Sequence, residues 1–190
     1  IPEIGDVIGT PNQVVEQSEP RGTGDAILQT RTLLEAYRGN ILIINGDMPL
    51  ITSSTLSAII RYHETNQCHL TFLTFESVPS EGMGRVLRGD KGEVVAIVEE
   101  GDLEGEGTYP SEGNVGIYCF SGSWLWSVLE EIPPSPKGEI YITGLVALAA
   151  SRGYRIGTVA LKDPMEGLGV NDGVELAAAR EALQRRINKE

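Results

Sequence analysis

Cysteine is nearly absent: the 190 residues hold only Cys68 and Cys119, each inside a strand-like apolar run. Two such residues cannot build the disulfide framework of a small secreted protein, so both read as buried thiols in a reducing compartment. Basic charge is scarce too. Lys and Arg number 15 against 27 Asp and Glu, a formal net charge of -12, whereas a general nucleic-acid binder needs a basic footprint to displace counterions from phosphates. The deficit leaves room for a nucleotide as a small ligand, because backbone N–H groups and a divalent cation can hold phosphates on an acidic protein. No apolar run approaches the roughly 20 residues of a membrane helix. The opening IPEIGDVIG lacks both the basic start and the apolar core of a signal peptide, and the expected address is the cytoplasm. Neither G-x-x-x-x-G-K-[ST] nor a strand followed by G-x-G-x-x-G occurs, which disfavours phosphate-loop enzymes and dinucleotide oxidoreductases.

What is present is globular: 41% of the residues are hydrophobic and 22% charged. At this length one domain is the default, and folding can remove roughly 70% of the unfolded surface from water. Short β-branched runs alternate with helical patterns, which predicts βαβ units and a mainly parallel sheet flanked by helices. The predicted order is a strand at 13–17 and a helix over 24–37, then a strand at 41–45. A helix capped by Ser53 or Ser54 and the strand CHLTFLTF follow. GRVLRGDKGEVVAIVEE reads as two strands around a Gly-Asp-Lys-Gly turn, an antiparallel insertion at about 84–113 in a single domain spanning 1–190. NVGIYCF is a strand, Trp124 to Leu129 mark a helix, and a further helix runs from about Tyr141 to Arg152. A strand YRIGTVAL and a final helix complete the chain.

In open α/β sheets ligands bind beyond the carboxyl ends of strands, and ILIINGDMPLI, residues 41 to 51, delivers an acid there. Asn45-Gly46-Asp47 suits a turn and equally suits a Mg²⁺ ligand, since that ion takes carboxylate oxygens and keeps substrate phosphates in its shell. GLGVNDG places Asn171 at the start of the last helix, where it reads either as an N-cap or as a second oxygen donor. RGTGDA, residues 21 to 26, puts two glycines at a loop-to-helix junction that lets backbone N–H groups approach a ligand. HETNQCH contains His63, Glu64, Cys68 and His69 but not His-Glu-x-x-His spacing, which disfavours a metal box. Glu99 and Glu100 point to opposite faces of a strand, so at most one meets a ligand.

Taken in order, Gln17 with RGTGDA, then NGDMPLI, GMGRV, VVAIVEEGD, GNVGIY, GEIYITGLVALA and GVNDGVEL resemble, block by block, the uridyltransferase domain of bacterial N-acetylglucosamine-1-phosphate uridyltransferases. The resemblance implies a Rossmann-like fold of nucleotide-diphospho-sugar transferase type, and transfer of a uridylyl group from UTP to N-acetylglucosamine 1-phosphate with release of pyrophosphate. It implies that Gln17 meets the uracil edge, that Gly22, Thr23, Asn45 and Gly46 line the nucleotide, and that Asp47 and Asn171 hold a catalytic Mg²⁺. Gly84, Glu99, Asn114, Tyr141 and Thr143 would position the sugar. The implied partners are small molecules rather than nucleic acid or membrane, with self-association left open.

The sequence also departs from that family. The family's opening strand and glycine-rich loop, which supply triphosphate contacts and cationic groups, have no counterpart here. Together with a first residue that is Ile rather than Met, this predicts the larger, C-terminal part of a nucleotidyltransferase domain, with little or no turnover alone. Asn45 stands where an aromatic residue is common, Asp25 where His is, Met83 where Tyr is and Gly144 where Asp is. The competing readings are a non-catalytic sugar-nucleotide-binding module, a related nucleotidyltransferase of cofactor synthesis, and a glycosyltransferase; the last usually wants Asp-x-Asp, and NGDMP supplies one acid.

Overall fold

Leu70–Phe75 is the spine of the molecule: all six residues of LTFLTF are buried. Leu70 and Phe72 face one core with Tyr118 and Phe120, while Leu73 and Phe75 face a second with Ile117 and Cys119. A strand apolar on both faces belongs in the middle of a sheet covered on both sides. The computed structural model describes residues 12–76, 83–102 and 110–188. Its elements are α1 (Thr23–Gln29), α2 (Arg31–Leu34), β1 (Asn40–Ile43), α3 (Ser53–Thr65), β2 (Leu70–Phe75), β3 (Arg85–Arg88), β4 (Val94–Val98), β5 (Gly113–Ser121), α4 (Gly122–Val128), α5 (Gly144–Ser151), β6 (Ile156–Ala160) and α6 (Gly173–Ile187), with short 3-10 turns at Glu100–Asp102, Leu129–Glu131 and Pro164–Gly167.

The sheet is mixed, in the order β4-β3-β5-β2-β6. The β2–β6 ladder is parallel, whereas β5 is antiparallel to β1, β2 and β3. Gly113 pairs with both Phe75 and Arg85, and Tyr118 with both Phe72 and Ile43. β1 and β3 therefore lie end to end on the edge of β5 away from β2. Strands β1, β2, β3 and β6 share one direction; β5, returning from the insertion, opposes them. The hairpin read from Gly-Asp-Lys-Gly is present, with Arg85 opposite Val98.

Several local expectations are corrected. Residues 13–17 form no strand, and Val14 and Val15 are exposed. The single helix over 24–37 is broken at Thr30, whose hydroxyl donates to the Ile27 carbonyl at 2.8 Å, a local bond that competes with helix continuation. Ile27 and Leu28 pack on the core, but Leu33, Leu34 and Tyr37 stay exposed. Thr52, not Ser53 or Ser54, caps α3, its oxygen accepting from the Thr55 N–H at 3.2 Å. The helix expected from Tyr141 begins at Gly144. No helix among the described residues is long and apolar enough to cross a membrane.

Candidate active site

Because β1, β2 and β6 run together, their carboxyl ends gather on one rim, and the opposed β5 brings its amino end to the same place. A cleft of about 420 Å³ opens there, lined among others by Asn45, Asp47, Gly84, Glu99, Asn114 and Asn171. Six residues singled out in the sequence thus meet, although they span more than 120 positions. The lining includes three acids, Asp47, Glu99 and Glu175, and no Lys or Arg among the described residues.

Asp47 follows β1 and Asn171 lies on the loop after β6. That loop is stitched to the first by the Val170 N–H, which donates to the Asp47 carbonyl at 2.9 Å. Asp47 Oδ2 lies 3.6 Å, and the Asn171 amide nitrogen 3.7 Å, from the point a Cβ on Gly169 would occupy; both side chains therefore border one small space. Asn171 is not the cap of α6. Asp172 takes that role, accepting from the N–H groups of Val174 and Glu175, each at 2.8 Å, which releases the Asn171 side chain. The backbone N–H of Asn171 donates to Glu175 Oε2 at 2.6 Å. Deeper in the same loop Glu166, 8% exposed, accepts from the Thr52 N–H at 3.0 Å and the Thr52 hydroxyl at 2.9 Å, tying the loop to the start of α3.

The opposite wall is pre-oriented in the same way. The Thr143 hydroxyl donates to Glu99 Oε1 at 2.6 Å, leaving Oε2 beside Gly84. Asn114 Oδ1 accepts from the Gly116 N–H at 3.1 Å, and its amide nitrogen donates to the Tyr118 hydroxyl at 2.6 Å. Burial pushes the Tyr118 phenol well above its ordinary range, so it stays neutral. Between Asn114 and Tyr118 the β2–β5 register shifts, and Gly116 takes φ +86°. Such bulges re-aim side chains and cluster near functional sites.

Of the residues the resemblance assigned to the nucleotide, Thr23, Asn45 and Gly46 line an adjoining apolar groove of about 450 Å³ that also takes in Trp126 and shares Asn45 and Gly116 with the cleft, whereas Gln17 and Gly22 lie outside its lining. Thr23 Oγ1 accepts from the Ile142 N–H at 3.0 Å. Gly22 has φ +100°, and a Cβ there would lie 2.5 Å from the Ile140 carbonyl oxygen, so only glycine fits. The Gln17 side chain donates to the Gly22 carbonyl at 3.1 Å. Tyr141 stands apart from the cleft lining, its hydroxyl donating to Glu139.

A carboxylate beside an amide whose rotation would bring its oxygen into the same space suits Mg²⁺, which takes hard oxygen ligands and fills its octahedron with water and phosphate oxygens. Among the described residues no group of three His, Cys, Asp or Glu offers an all-protein metal cage. In the HETNQCH stretch, His63 is buried against the Thr71 hydroxyl at 2.9 Å, Glu64 accepts from Asn40 at 2.9 Å, and His69 accepts from the Arg155 N–H at 3.2 Å. Sequence reading missed Glu166 and Glu175. For Glu175 a signal existed, since Asp-x-x-Glu from Asp172 is a capping-box pattern; for Glu166 there was none, since a lone acid in PMEG looks solvent-facing.

A nucleotidyl transferase family model matches residues 3–165. The chain belongs to the nucleotidyl transferase family. This nucleotidyl transferase chain is 36% identical over 188 residues to the bifunctional protein GlmU of Lactobacillus delbrueckii subsp. bulgaricus, covering 98% of the chain and 41% of that protein. To GlmU of Halalkalibacterium halodurans it is 37% identical over 174 residues, 91% of the chain and 38% of that relative. It thus spans about two fifths of the length of these curated relatives. A solved structure of UDP-glucose pyrophosphorylase complexed with UDP-glucose superposes with a TM-score of 0.71 at 20% identity, over 92% of this chain and 66% of that one. At that identity the likeness is one of fold, and it is the fold type the sequence led us to expect.

Proposed function

We propose that this nucleotidyl transferase chain carries the site for joining a sugar 1-phosphate to a uridylyl group, with N-acetylglucosamine 1-phosphate and UTP as substrates and pyrophosphate as the second product. The observation that carries the reading is the convergence of Asp47, Asn171, Glu99 and Asn114 on one cleft at the carboxyl rim of the sheet. Glu99, fixed through Thr143, keeps one free carboxylate oxygen to accept from a sugar hydroxyl. Asn114, fixed through Gly116 and Tyr118, keeps one free N–H to donate. An acceptor and a donor side by side match the mixed hydroxyl and amide groups of an N-acetyl sugar.

In the reaction a phosphate oxygen of the sugar 1-phosphate forms a bond to the α-phosphorus of UTP. The bond from that phosphorus to the β-phosphate oxygen breaks, and pyrophosphate leaves with the electron pair. The nucleophile is already anionic, so neither a general base nor a covalent enzyme intermediate is needed, and the protein contributes positioning and charge compensation. Asp47 and Asn171 would hold a divalent cation, Mg²⁺ by the chemistry of the pair, which when bound neutralises crowded phosphate oxygens. Thr23, in the adjoining groove, and Gln17 with Gly22, joined to each other beside it in the chain, orient the base and ribose.

The test is pyrophosphate release from UTP and N-acetylglucosamine 1-phosphate, with and without Mg²⁺, for the parent chain and D47A. The expected result is metal-dependent turnover, slow for this chain alone as its sequence predicts, that falls further by at least roughly a hundredfold in D47A, the scale of losing one transition-state charge contact. Near-parental rates in D47A would remove the metal assignment. The lack of Lys and Arg among the described residues of the cleft lining favours a second reading, a sugar-nucleotide-binding module without turnover. Tight UDP-N-acetylglucosamine binding with no pyrophosphate release would select it.

A further inference from the structure

The Gln17 side chain has a single hydrogen-bonding atom left for a ligand. Its amide nitrogen donates twice, to the Gly22 carbonyl at 3.1 Å and to Asp25 Oδ2 at 2.6 Å. Both partners are acceptors only, a backbone carbonyl and a carboxylate. A flipped amide would set its oxygen against two other oxygens, so the bond network dictates the orientation. Both N–H groups are thereby used, and Oε1 has no partner among the described residues. Asp25 is itself held, because its other oxygen accepts from Gln29 one helical turn on at 3.3 Å. As an acid in the first turn of α1 it also sits where the helix dipole favours negative charge.

We infer that Asp25 is a positioning residue for base selection: by fixing Gln17 with its carbonyl oxygen free, it restricts the site to a pyrimidine whose ring nitrogen N3 carries hydrogen. The inference rests on the reading above that Gln17 meets the base edge. Uracil presents N3–H and pairs with Oε1. Cytosine presents a lone pair at N3, which would face the lone pairs of Oε1. Without Asp25, only the Gly22 carbonyl restrains the amide, and Gln17 can rotate to offer an N–H to cytosine. The site then loses its reason to distinguish the two rings.

The experiment is calorimetric binding of UDP and CDP in Mg²⁺ to the parent chain, D25A, D25S and D25N. The phosphates are the same in both ligands, so the ratio of the two dissociation constants isolates the base. We expect the parent to prefer UDP by roughly tenfold, the scale of one mispaired hydrogen-bonding group. In D25A and in D25S, whose hydroxyl is too short to reach Gln17, the ratio should fall to within about threefold of unity, a prediction on the same hydrogen-bond scale. D25N keeps an oxygen that can accept from Gln17 and should retain the preference, an outcome that a merely structural role for the carboxylate does not require. Circular dichroism and thermal unfolding identify whichever variants fold, and D25A or D25S alone decides the point, while loss of the preference in D25N would count against the proposed bond. A parent that binds UDP and CDP alike, or D25A and D25S variants with the parental ratio, would overturn the role of Asp25 while leaving the nucleotide reading intact. A parent that binds neither ligand would overturn that reading and the inference with it.

Discussion

Gly116 shows how narrowly single residues are specified in the cleft wall. Its φ of +86° lies in the left-handed region, and a Cβ there would stand 2.5 Å from the Asn45 amide nitrogen. G116A should therefore lose roughly 1–3 kcal/mol of stability through backbone strain, read as a lower urea midpoint, and should displace Asn45 as well. An unchanged midpoint would mean that the bulge in β5 relaxes freely. Asp172 makes a complementary point. D172A removes the cap of α6 and should cost about 1 kcal/mol; because Asn171 then becomes the nearest side chain able to cap, divalent-ion affinity should fall too. The NDG triplet announced a helix start, but both Asn and Asp are good caps. Only the register of the first turn, in which the Val174 and Glu175 N–H groups reach Asp172, decides between them. Asp47 was legible because an acid just past an apolar run falls at a strand end, although β1 proves half-buried rather than covered on both faces, with Ile44 exposed.

At the scale of elements, α3 and β2 are joined by a buried polar contact between His63 and Thr71. Burial holds the His63 imidazole below its ordinary range. As pH falls through the unfolded value near 6.5, the unfolded chain takes up a proton that the folded chain resists, so unfolding is favoured. Stability from this group is therefore complete above about pH 7 and declines on acidification until the folded imidazole protonates, by up to about 1.4 kcal/mol per pH unit. Urea unfolding between pH 7.5 and 5.5 should show the decline, and H63N should flatten it; an identical slope in H63N would assign it elsewhere. Glu166 plays the corresponding part between the loop after β6 and α3. E166A leaves the Thr52 N–H without its partner and should cost about 1–3 kcal/mol, measurable in the same assay. Local punctuation was readable here where it was self-contained: Gly-Asp-Lys-Gly predicted the β3–β4 hairpin. It failed where a strand lacks a partner, as in the unpaired 13–17 segment, and where a local side-chain bond outcompetes the helix, as at the Thr30 hydroxyl.

Over the whole molecule, sheet topology is what turns scattered residues into one site. The sequence pattern conveyed alternating strands and helices but not strand direction, because a buried strand looks apolar whichever way it runs. The reversal of β5 went unseen for that reason, yet it is what carries Asn114 to the rim where Asp47 and Asn171 already lie. The same rim has three acids and no Lys or Arg in its described lining, within a chain of net charge -12. An anionic nucleotide can settle there only with cationic compensation, and in the proposed reading the acid–amide pair beside Gly169 holds it. The most direct measurement is a crystal of this protein grown with UDP-N-acetylglucosamine and Mn²⁺ in place of Mg²⁺, located by anomalous scattering. The account predicts one peak bound by Asp47 and Asn171 and touching the diphosphate; a peak held by other residues, or diphosphate bound in the cleft with no metal at this pair, would contradict it.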